Sequence, residues 1–507
     1  MPKLALFSVD SRQPVTDFAR ALISRGWQVL ATDAPLEAIR KSGLPVVSLA
    51  EFTGYADAHP FPATLHPKIE AALTDEKSAQ RIELVYDIVY GPHAGIDVGG
   101  NSLLALAVKG KRVAVPSSAA MRSVIASLSA EGEVPEQLRQ SLAKETLSAI
   151  AGYYAQALGL WTGMQAECLI ADTLSELANG ENPYQRAWLM GLREAEEMGL
   201  PGFRHLAGPQ PCFTNLADLD ALTEVMIKIT GAFRLNYAKI PFICLIAKHG
   251  NPCGIGADWH SPEAAIERAL WGSPLAAWGG EVAVNFFLEE GAARSLFSSP
   301  KRRELFADDR WMFDVIAVPG LSKEAGSVLS ARRQAKIFLN SYLSTAPARK
   351  GFHYRFVRGG LLKQTCPDYL LDISGLAWNV QDWPSEKLDD LIIAWAAAYG
   401  SFHGGNEVAM AKDGMLLSCA GGPSTVDAVA TALMRAEKLG HKLCSAAFCA
   451  DAFFPFTDAP GLLADAGVAC GIVPAGGLRW QQVKDFFTGR GIAVGFIAEK
   501  FRGFCRH

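Results

Sequence analysis

Short apolar runs alternate with amphipathic segments through the first third of the chain. Residues 4–9 and 28–31 are typical of buried strands, and residues 16–25 and 36–42 have the apolar spacing of helices that end at a glycine. Further strand-like runs follow at 46–47, 84–89 and 112–115. This alternation predicts βαβ units, and hence an α/β domain built on a doubly wound parallel sheet.

A long helical pattern over residues 135–160 leads from this domain to a second region. We place the boundary so that the domains are 1–162 and 163–507. The second region again mixes helices and strands, and no sequence repeat is visible. Helices are predicted at 222–230, 262–271, 386–399 and 424–439, and strands at 242–247, 282–287, 315–318, 470–473 and 493–497.

One polar stretch in the second region combines a cation with an imidazole. Lys248-His249-Gly250-Asn251-Pro252-Cys253-Gly254 follows an apolar strand, and its residue types predict a tight turn. Ligands of open α/β sheets bind just past the carboxyl ends of strands. A lysine can stabilise an oxyanion and a histidine can move a proton, although an ordinary polar turn would have the same composition.

Composition restricts the classes of function. The chain has 507 residues, half of them apolar, a net charge of −4 and an isoelectric point near 6.2, so it offers no general cationic surface for nucleic acid or a membrane. Ten cysteines lie between Cys168 and Cys505 with no Cys-x-x-Cys pair, which favours neither disulfides nor structural zinc. The first residues read as a strand, no apolar run spans a membrane, and we expect a cytoplasmic protein.

The turn is one of several motifs that occur in the order of a known family. The others are Gly180-Glu181-Asn182-Pro183, Asn215 with Asp218, Trp278-Gly279-Gly280, Asp314-Val315-Ile316 with Pro319, Gly359-Gly360-Leu361-Leu362, Asn406, Asp451-Ala452-Phe453-Phe454-Pro455-Phe456 and the terminal Phe501-Arg502-Gly503-Phe504. Together they resemble the bifunctional purine enzyme that formylates aminoimidazole carboxamide ribonucleotide (AICAR) and then closes the ring to inosinate.

The resemblance implies a fold, a reaction and partners. The first domain would be methylglyoxal-synthase-like, and the second region would be two cytidine-deaminase-like subdomains without zinc. The formyl donor would be 10-formyltetrahydrofolate, no metal would take part, and the enzyme would be a homodimer that binds a nucleotide and a folate.

Three residues carry the chemistry by resemblance. His249 corresponds to the proton-handling residue, Lys248 to the cation beside it, and Asn406 to the amide that orients the acceptor. The acceptor amine is a weak nucleophile that must lose a proton as it attacks the formyl carbon. An imidazole, with an ordinary pKa of about 6.5, suits that role, and an ammonium or a backbone N–H can hold the oxyanion.

Five further residues match positions that line the acceptor or its phosphate: Asn215, Gly280, Asp314, Phe454 and Arg502. Each has a structural alternative. Asn215 and Asp314 could be cap or turn residues, Gly280 a bend, Phe454 part of a core and Arg502 a solvated cation.

The second region departs from the family at its phosphate contacts. The usual Arg-Tyr before Gly-Glu-Asn-Pro reads Ala178-Asn179, and Asp-Pro-Thr-Ser-Ala-Phe-Gly-Gly has become Ser273-Pro274-Leu275-Ala276-Ala277-Trp278-Gly279-Gly280. The expected Gly-Gln-x-Ser-Arg reads Gly421-Gly422-Pro423-Ser424-Thr425. Losing a phosphate-binding arginine weakens a charged ligand, so these changes put the identity of the acceptor in question.

The first domain departs further. Its phosphate loops read Ser8-Val9-Asp10-Ser11-Arg12 and Ala31-Thr32-Asp33-Ala34-Pro35, so Asp33 brings a negative charge and Pro35 removes a donor. A catalytic lysine is replaced by Ala63, whereas Tyr90, Asp97 and Lys109 match cyclohydrolase positions. We expect a degenerate cyclohydrolase.

Four hypotheses follow. The first is an AICAR formyltransferase whose cyclohydrolase activity is weak or lost. The others are a fully bifunctional enzyme, a formyltransferase of this fold that acts on another amine, and a non-catalytic binding relative.

Overall fold

The computed structural model describes residues 2–10, 14–55, 63–78, 80–163, 168–192, 196–299 and 311–503. The chain forms two compact units, Met1–Ile170 and Ala171–His507. Ser11 and Arg12 of the first predicted phosphate loop, and Phe504 of the terminal motif, lie outside the described residues.

The first unit is built on a five-stranded sheet in which every pairing is parallel, in the order β3-β2-β1-β4-β5. Its strands are β1 (Leu4–Ser8), β2 (Gln28–Ala31), β3 (Val47–Ser48), β4 (Ile82–Asp87) and β5 (Val113–Val115). Its helices are α1 (Val15–Ile23), α2 (Asp33–Lys41), α3 (Leu49–Thr53), α4 (Pro67–Thr74), α5 (Val98–Lys109), α6 (Ser118–Ser127) and α7 (Glu136–Thr162).

Strand β1 shows why this sequence forms a sheet that is covered on both faces. Ala5 and Phe7 pack into one apolar cluster, while Leu4 and Leu6 pack into another. Alternate side chains of a strand point to opposite faces, so a run that is apolar at every position needs partners on both. The predicted parallel sheet is confirmed.

The second unit contains a mixed sheet of twelve strands in the order β16-β21-β20-β19-β17-β18-β10-β9-β11-β12-β13-β8. These are β8 (Arg204–Ala207), β9 (Phe242–Lys248), β10 (Asn251–Asp258), β11 (Gly280–Val284), β12 (Phe313–Val318), β13 (Lys336–Leu339), β16 (Ala377–Trp378), β17 (Val408–Lys412), β18 (Met415–Ala420), β19 (Ala447–Ala450), β20 (Cys470–Pro474) and β21 (Ala493–Ile497). Two separate hairpins pair β6 (Ala171–Glu176) with β7 (Trp188–Leu192), and β14 (Phe352–Val357) with β15 (Gly360–Thr365).

Helices of the second unit separate these strands. They are α8 (Phe213–Tyr237), α9 (Pro262–Gly272), α10 (Pro274–Ala277), α11 (Glu290–Ser295), α12 (Lys323–Ser330), α13 (Leu388–Gly400), α14 (Thr425–Lys438), α15 (Asp458–Asp465) and α16 (Trp480–Gly489). Helix α13 is buried along almost its whole length, as its apolar sequence requires. No helix among the described residues is long and apolar enough to cross a membrane.

The large sheet consists of two halves with the same topology. The first half runs β10-β9-β11-β12-β13-β8 and the second runs β18-β17-β19-β20-β21-β16. Each half begins with an edge strand, continues with a long buried helix and a hairpin, and ends with three further strands. The pairing of β10 with β18 joins the two halves. The sequence shows no repeat, so the duplication is visible only in the structure.

Each predicted helix and strand corresponds to an observed element, although α8 is much longer than predicted. The α/β class is confirmed as a parallel sheet plus a large mixed sheet, whereas the cytidine-deaminase-like architecture stays a prediction. The prediction that Asn251 to Gly254 form a turn is wrong. The turn is only His249-Gly250, and residues from Asn251 onward pair with β9 as strand β10, with a bulge between Pro252 and Gly254.

Candidate functional site

His249 lies in a two-residue turn between β9 and β10. His249 and Gly250 both have positive φ, 55° and 75°, the conformation of the tight turns that join antiparallel strands. The carboxylate of Asp218, on α8, accepts hydrogen bonds from both backbone N–H groups, at 2.7 and 2.6 Å. Such charge-assisted bonds contribute about 1.5 to 3 kcal/mol each, which outweighs the roughly 1 to 2 kcal/mol cost of a left-handed histidine.

Lys248 is the last residue of β9, and its ammonium donates to the carbonyl of Trp278 at 2.6 Å. The same arrangement recurs in the second half of the sheet. Lys412 ends β17 and donates to the carbonyl of Cys444 at 2.8 Å, just before β19. The contact of Lys248 is therefore partly architectural.

The turn that follows Lys412 also matches the histidine turn. Asp413 and Gly414 have φ of 54° and 76°, and the carboxylate of Asp390 on α13 accepts the N–H of Gly414 at 2.9 Å. Asp390 thus corresponds to Asp218, and Asp413 stands where the first half has His249. The fold requires the turn and its acid, but it does not require an imidazole.

A cluster of acidic side chains lies beside the histidine turn. The amide of Asn215 donates to Glu281 Oε1 at 3.0 Å, and Asp218 is near enough for its charge to act on the Glu281 carboxyl. Burial, followed by the charge of Asp218, raises the pKa of Glu281 to about 9, and Asp314 acts in the same direction. We therefore infer that the Glu281 carboxyl is protonated near neutral pH.

The second half of the sheet has alanines where Glu281 and Asp314 stand. Strand register pairs Glu281 with Ala247 in the first half and Ala447 with Ala411 in the second, so Glu281 and Ala447 are equivalent. Asp314, next to Val315 on β12, corresponds to Ala469, next to Cys470 on β20. Since the fold is built without acids at these positions, their presence in the first half points to function.

Asn406 lies on a loop that adjoins the histidine turn. Asn251 connects the two, because its amide donates to His249 O at 3.1 Å and its oxygen accepts the N–H of Phe402 at 2.6 Å. Asn406 itself has a φ of 48° and donates to Gly422 O at 2.9 Å. Lys248, His249 and Asn406, predicted as the catalytic group, are thus brought to one edge of the large sheet.

The Asn406 loop folds around the buried carboxylate of Glu407. Glu407 accepts the backbone N–H of His403 at 2.6 Å, and its other oxygen is 2.9 Å from His403 Nδ1. His403, Glu407 and Cys419 are close enough together to hold a metal ion. However, burial, followed by the charge of Glu407, raises the pKa of Cys419 to about 12. The Cys419 sulfur also lies 2.7 Å from Ser401 Oγ, so these side chains already have hydrogen-bond partners within the protein.

The remaining predicted acceptor residues differ in their surroundings. Gly280 and Asp314 lie at the amino ends of β11 and β12, next to the histidine turn. Asn215 forms the capping box of α8 and donates to Glu281, so its amide is used within the protein. Phe454 is buried in an apolar cluster, and Arg502 is exposed and ion-paired with Glu499 at 2.9 Å.

Comparison with known proteins assigns the family. The AICARFT/IMPCHase bienzyme family matches residues 110–435, more than half of the chain. The chain belongs to this family. It is a divergent member, since the phosphate-contact motifs named above are altered. The crystal structure of ForH, at 22% identity and a TM-score of 0.28, covers 31% of this chain and 98% of its own, which is too weak a similarity to carry a conclusion.

The family has two activities in purine biosynthesis, formyl transfer and cyclohydrolysis. The residues predicted for the cyclohydrolase lie in the first unit of this chain. Asp97 caps α5 through Gly100 N at 2.7 Å and accepts the N–H of Tyr90 at 3.2 Å. Lys109 lies at the other end of that 12-residue helix, about 18 Å away at 1.5 Å per residue. It pairs there with Glu70 at 3.9 Å, so the predicted trio does not form one site within this unit.

Asp97 instead has a second acid as its neighbour. Asp87, the last residue of β4, is 2% exposed, and burial followed by the charge of Asp97 raises its pKa to about 8. Asp33 is the first residue of α2. The amino end of a helix attracts anions, so the Asp33 carboxylate lies where a phosphate would otherwise be favoured. Pro35, two residues on, is also within that first turn.

Sequence reasoning missed Glu281, Glu407 and His403 as site residues. An acid directly after Gly280 in an apolar strand was the available signal for Glu281, since carboxyls are rarely buried without a role. A cavity of about 550 Å³, lined by Arg204, Pro319 and Asn340 among others, lies past the opposite end of β12. Its lining includes no residue of the histidine turn or of the acidic cluster.

We predict that Glu281→Gln changes how stability depends on pH. The pKa of Glu281 is raised in the folded chain, so the folded state loses stability as pH rises from near 4.5 toward about 9. Glutamine keeps the amide contact but does not titrate. Relative to the variant, the free energy of unfolding of the wild type should fall by about 2 to 3 kcal/mol between pH 6 and pH 8. Chemical denaturation measures it, and parallel pH profiles would refute the raised pKa of Glu281.

Proposed function

We propose that this chain is a folate-dependent formyltransferase that transfers the formyl group of 10-formyltetrahydrofolate to the amine of an aminoimidazole carboxamide, the ring of AICAR. The observation that carries the proposal is the Asp218-held turn, which presents His249 beside Lys248 and Asn406 at one edge of the sheet. Membership of the bienzyme family supports it.

The proposed reaction moves one proton and one formyl group. The amine nitrogen attacks the formyl carbon while His249 accepts the amine's proton, and the carbonyl oxygen becomes an oxyanion. Collapse of the tetrahedral intermediate breaks the bond from the formyl carbon to N10 of the folate. His249 returns the proton to N10, so tetrahydrofolate leaves and the formylated amine remains.

The surroundings of the turn suit this chemistry. Asp218 fixes the backbone of His249 rather than its ring, so the imidazole remains available for proton transfer. Lys248 lies one residue away, although its contact with Trp278 O means that it would have to exchange that bond to meet an oxyanion. Asn406, on the adjoining loop, would orient the acceptor through its side-chain oxygen, since its amide nitrogen donates to Gly422 O.

We propose further that the chain acts as a homodimer and that its partners are a folate and the acceptor. Exposed apolar side chains on the β14–β15 hairpin support a protein contact there: Phe356 is 81% exposed and Leu362 is 59% exposed. A non-catalytic relative is a second candidate, but it would leave the intact histidine turn without a use.

For the first unit we propose weak or absent cyclohydrolase activity. Ala63, in a 3-10 turn, stands where the family resemblance implies a catalytic lysine, and Asp33, the first residue of α2, stands where it implies a phosphate. The fully bifunctional alternative requires the first unit to bind a phosphorylated substrate despite that charge.

We predict that His249→Ala lowers kcat for formyl transfer at least about 100-fold, because the attacking amine loses its proton acceptor. Tetrahydrofolate release from 10-formyltetrahydrofolate is the readout. His260→Ala, at an exposed histidine outside the site, is the matched control and should retain full activity. A fully active His249 variant with an unchanged melting temperature would remove His249 from the mechanism.

We predict that the chain does not convert formylated AICAR to inosinate above the uncatalysed rate. The physical reason is that the first unit lacks the cation at position 63 and presents Asp33 to the phosphate. Ring closure, followed by absorbance, should be the same for wild type and Asp97→Asn. Inosinate production that Asp97→Asn abolishes would instead establish a working cyclohydrolase.

A further inference from the structure

The loop that carries Asn406 has little intrinsic order. Three successive residues, Gly404, Gly405 and Asn406, have positive φ, at 112°, 96° and 48°. Glycine loses more conformational freedom on folding than any other residue, so a loop with two glycines needs contacts outside its own backbone to keep one conformation. The conformation of this backbone decides where the Asn406 side chain lies.

The carboxylate of Glu407 supplies such contacts. Its Oε1 accepts the backbone N–H of His403 at 2.6 Å and that of Gly405 at 3.4 Å, while its Oε2 lies 2.9 Å from His403 Nδ1. The Glu407 side chain is only 1% exposed. Hydrogen bonds to a buried carboxylate are charge-assisted and are little screened by water, so this one group fixes the loop at two backbone positions.

The sheet itself does not require an acid at position 407. Just beyond the pairing of β17 with β19, Asp451 N donates to Glu407 O. Just beyond the equivalent pairing of β9 with β11, Asn285 N donates to Ile243 O. Glu407 and Ile243 are therefore equivalent, and both are fully buried. Because isoleucine fills this position without the desolvation cost of a carboxylate, the acid has a role beyond packing.

The neighbouring strand leaves room for this carboxylate. Gly421 follows β18, and a Cβ at that position would clash with the Glu407 carboxylate. Gly421 does not have a positive φ, so the close approach, rather than the backbone conformation, requires a glycine. The next residue, Gly422, donates its N–H to Gly405 O at 2.8 Å and accepts the Asn406 amide at 2.9 Å. The carboxylate thus lies beside both the loop and the segment to which the loop is bonded.

His403 extends this arrangement to α14. Arg435 Nη1 lies 3.3 Å from His403 Nε2 and donates to Cys419 O at 2.6 Å. A guanidinium only donates and a carboxylate only accepts, so these contacts fit a neutral imidazole with its hydrogen on Nδ1. Both ring nitrogens are then engaged, which makes His403 a brace for Glu407 rather than a second proton acceptor.

We propose that Glu407 is a positioning residue of the formyl-transfer site, whose carboxylate orders residues 403–406 so that the side-chain oxygen of Asn406 can orient the acceptor. The inference rests on the proposed formyl transfer. Asn251 accepts the N–H of Phe402 and so ties this loop to the histidine turn. Glu407 therefore acts through Asn406 and does not itself touch the reacting atoms.

Two substitutions separate positioning from folding. Glu407→Ile introduces the residue of the equivalent position in the first half, so the chain should fold, which the melting temperature checks. Glu407→Gln keeps the size of the side chain but presents an N–H donor to the loop. Each should lower kcat/KM for formylation of AICAR about tenfold or more, because a misplaced orienting group costs rate.

Asp390→Asn is the matched control, since Asp390 is a buried acid of the same half that holds the turn at the other edge of the sheet. It should stay within about threefold of the wild type, because that turn carries no group of the proposed site. A folded Glu407→Ile variant with full activity would overturn the proposal.

A double-mutant comparison shows whether Glu407 acts through Asn406. Asn406→Ala alone should lower kcat/KM. Adding Glu407→Gln to it should cost less than about twofold further, because the side chain to be positioned is already absent. If Glu407→Gln causes the same loss in both backgrounds, it acts independently of Asn406 and the positioning role is wrong.

Failure of the inference can be told from failure of the proposed function. If the wild type formylates nothing, formyl transfer fails, and hydrogen exchange of the His403 and Gly405 N–H groups decides the inference. The Gly414 N–H, held by Asp390, is the internal reference. Exchange at least about tenfold faster in Glu407→Ile than in the wild type, with the reference unchanged, would support the ordering role. Equal exchange in the two proteins would contradict it.

Discussion

The carboxylate of Asp218 is the group on which the proposed site depends. It fixes two successive N–H groups of the turn that carries His249, at a backbone conformation that histidine adopts only at some cost. The acid lies on α8, whereas the turn joins β9 to β10, so one charged contact ties the helix to the hairpin. Strand β11 pairs with β9 beside the same turn, and Glu281 on β11 lies near enough to Asp218 for that charge to raise its pKa. Moving any of these three elements would move His249.

The duplication of the large sheet separates what the fold needs from what the site adds. Both halves contain a hairpin turn held by a helix acid and a lysine that donates to a backbone carbonyl. Only the first half places a histidine in the turn. It also has Glu281 where the second half has Ala447. We interpret the turn as architecture that both halves share and the histidine with its neighbouring acids as a specialisation of one half.

Much of the framework could be predicted from local pattern. Strands at 28–31 and 493–497 were placed at their observed limits because apolar runs between turn residues admit few alternatives. Helix α8 was predicted only over 222–230, since the buried polar residues Asn215 and Asp218 interrupt its apolar pattern. Those interruptions are the site residues themselves, which is where local rules are expected to fail.

Long-range contacts account for most of what the sequence could not show. Glu281 and Asp218 meet across 63 residues of chain, and neither residue type at either position signals the other. Phe454 was predicted by resemblance to line the acceptor, and in the structure it packs into a core cluster. The two halves of the sheet share topology with little common sequence, so their equivalence emerges only from strand order and register.

The most direct test of this account is the kcat for formyl transfer by Asp218→Asn beside that of Asp390→Asn, each with its melting temperature. Both substitutions weaken equivalent turns by exchanging an acceptor-only carboxylate for an amide. We expect Asp218→Asn to lose at least about 100-fold in kcat and Asp390→Asn to stay within about threefold of the wild type, because only the first turn carries the proton acceptor. Equal losses in the two variants, or full activity of Asp218→Asn, would contradict the claim that the Asp218-held turn performs the chemistry.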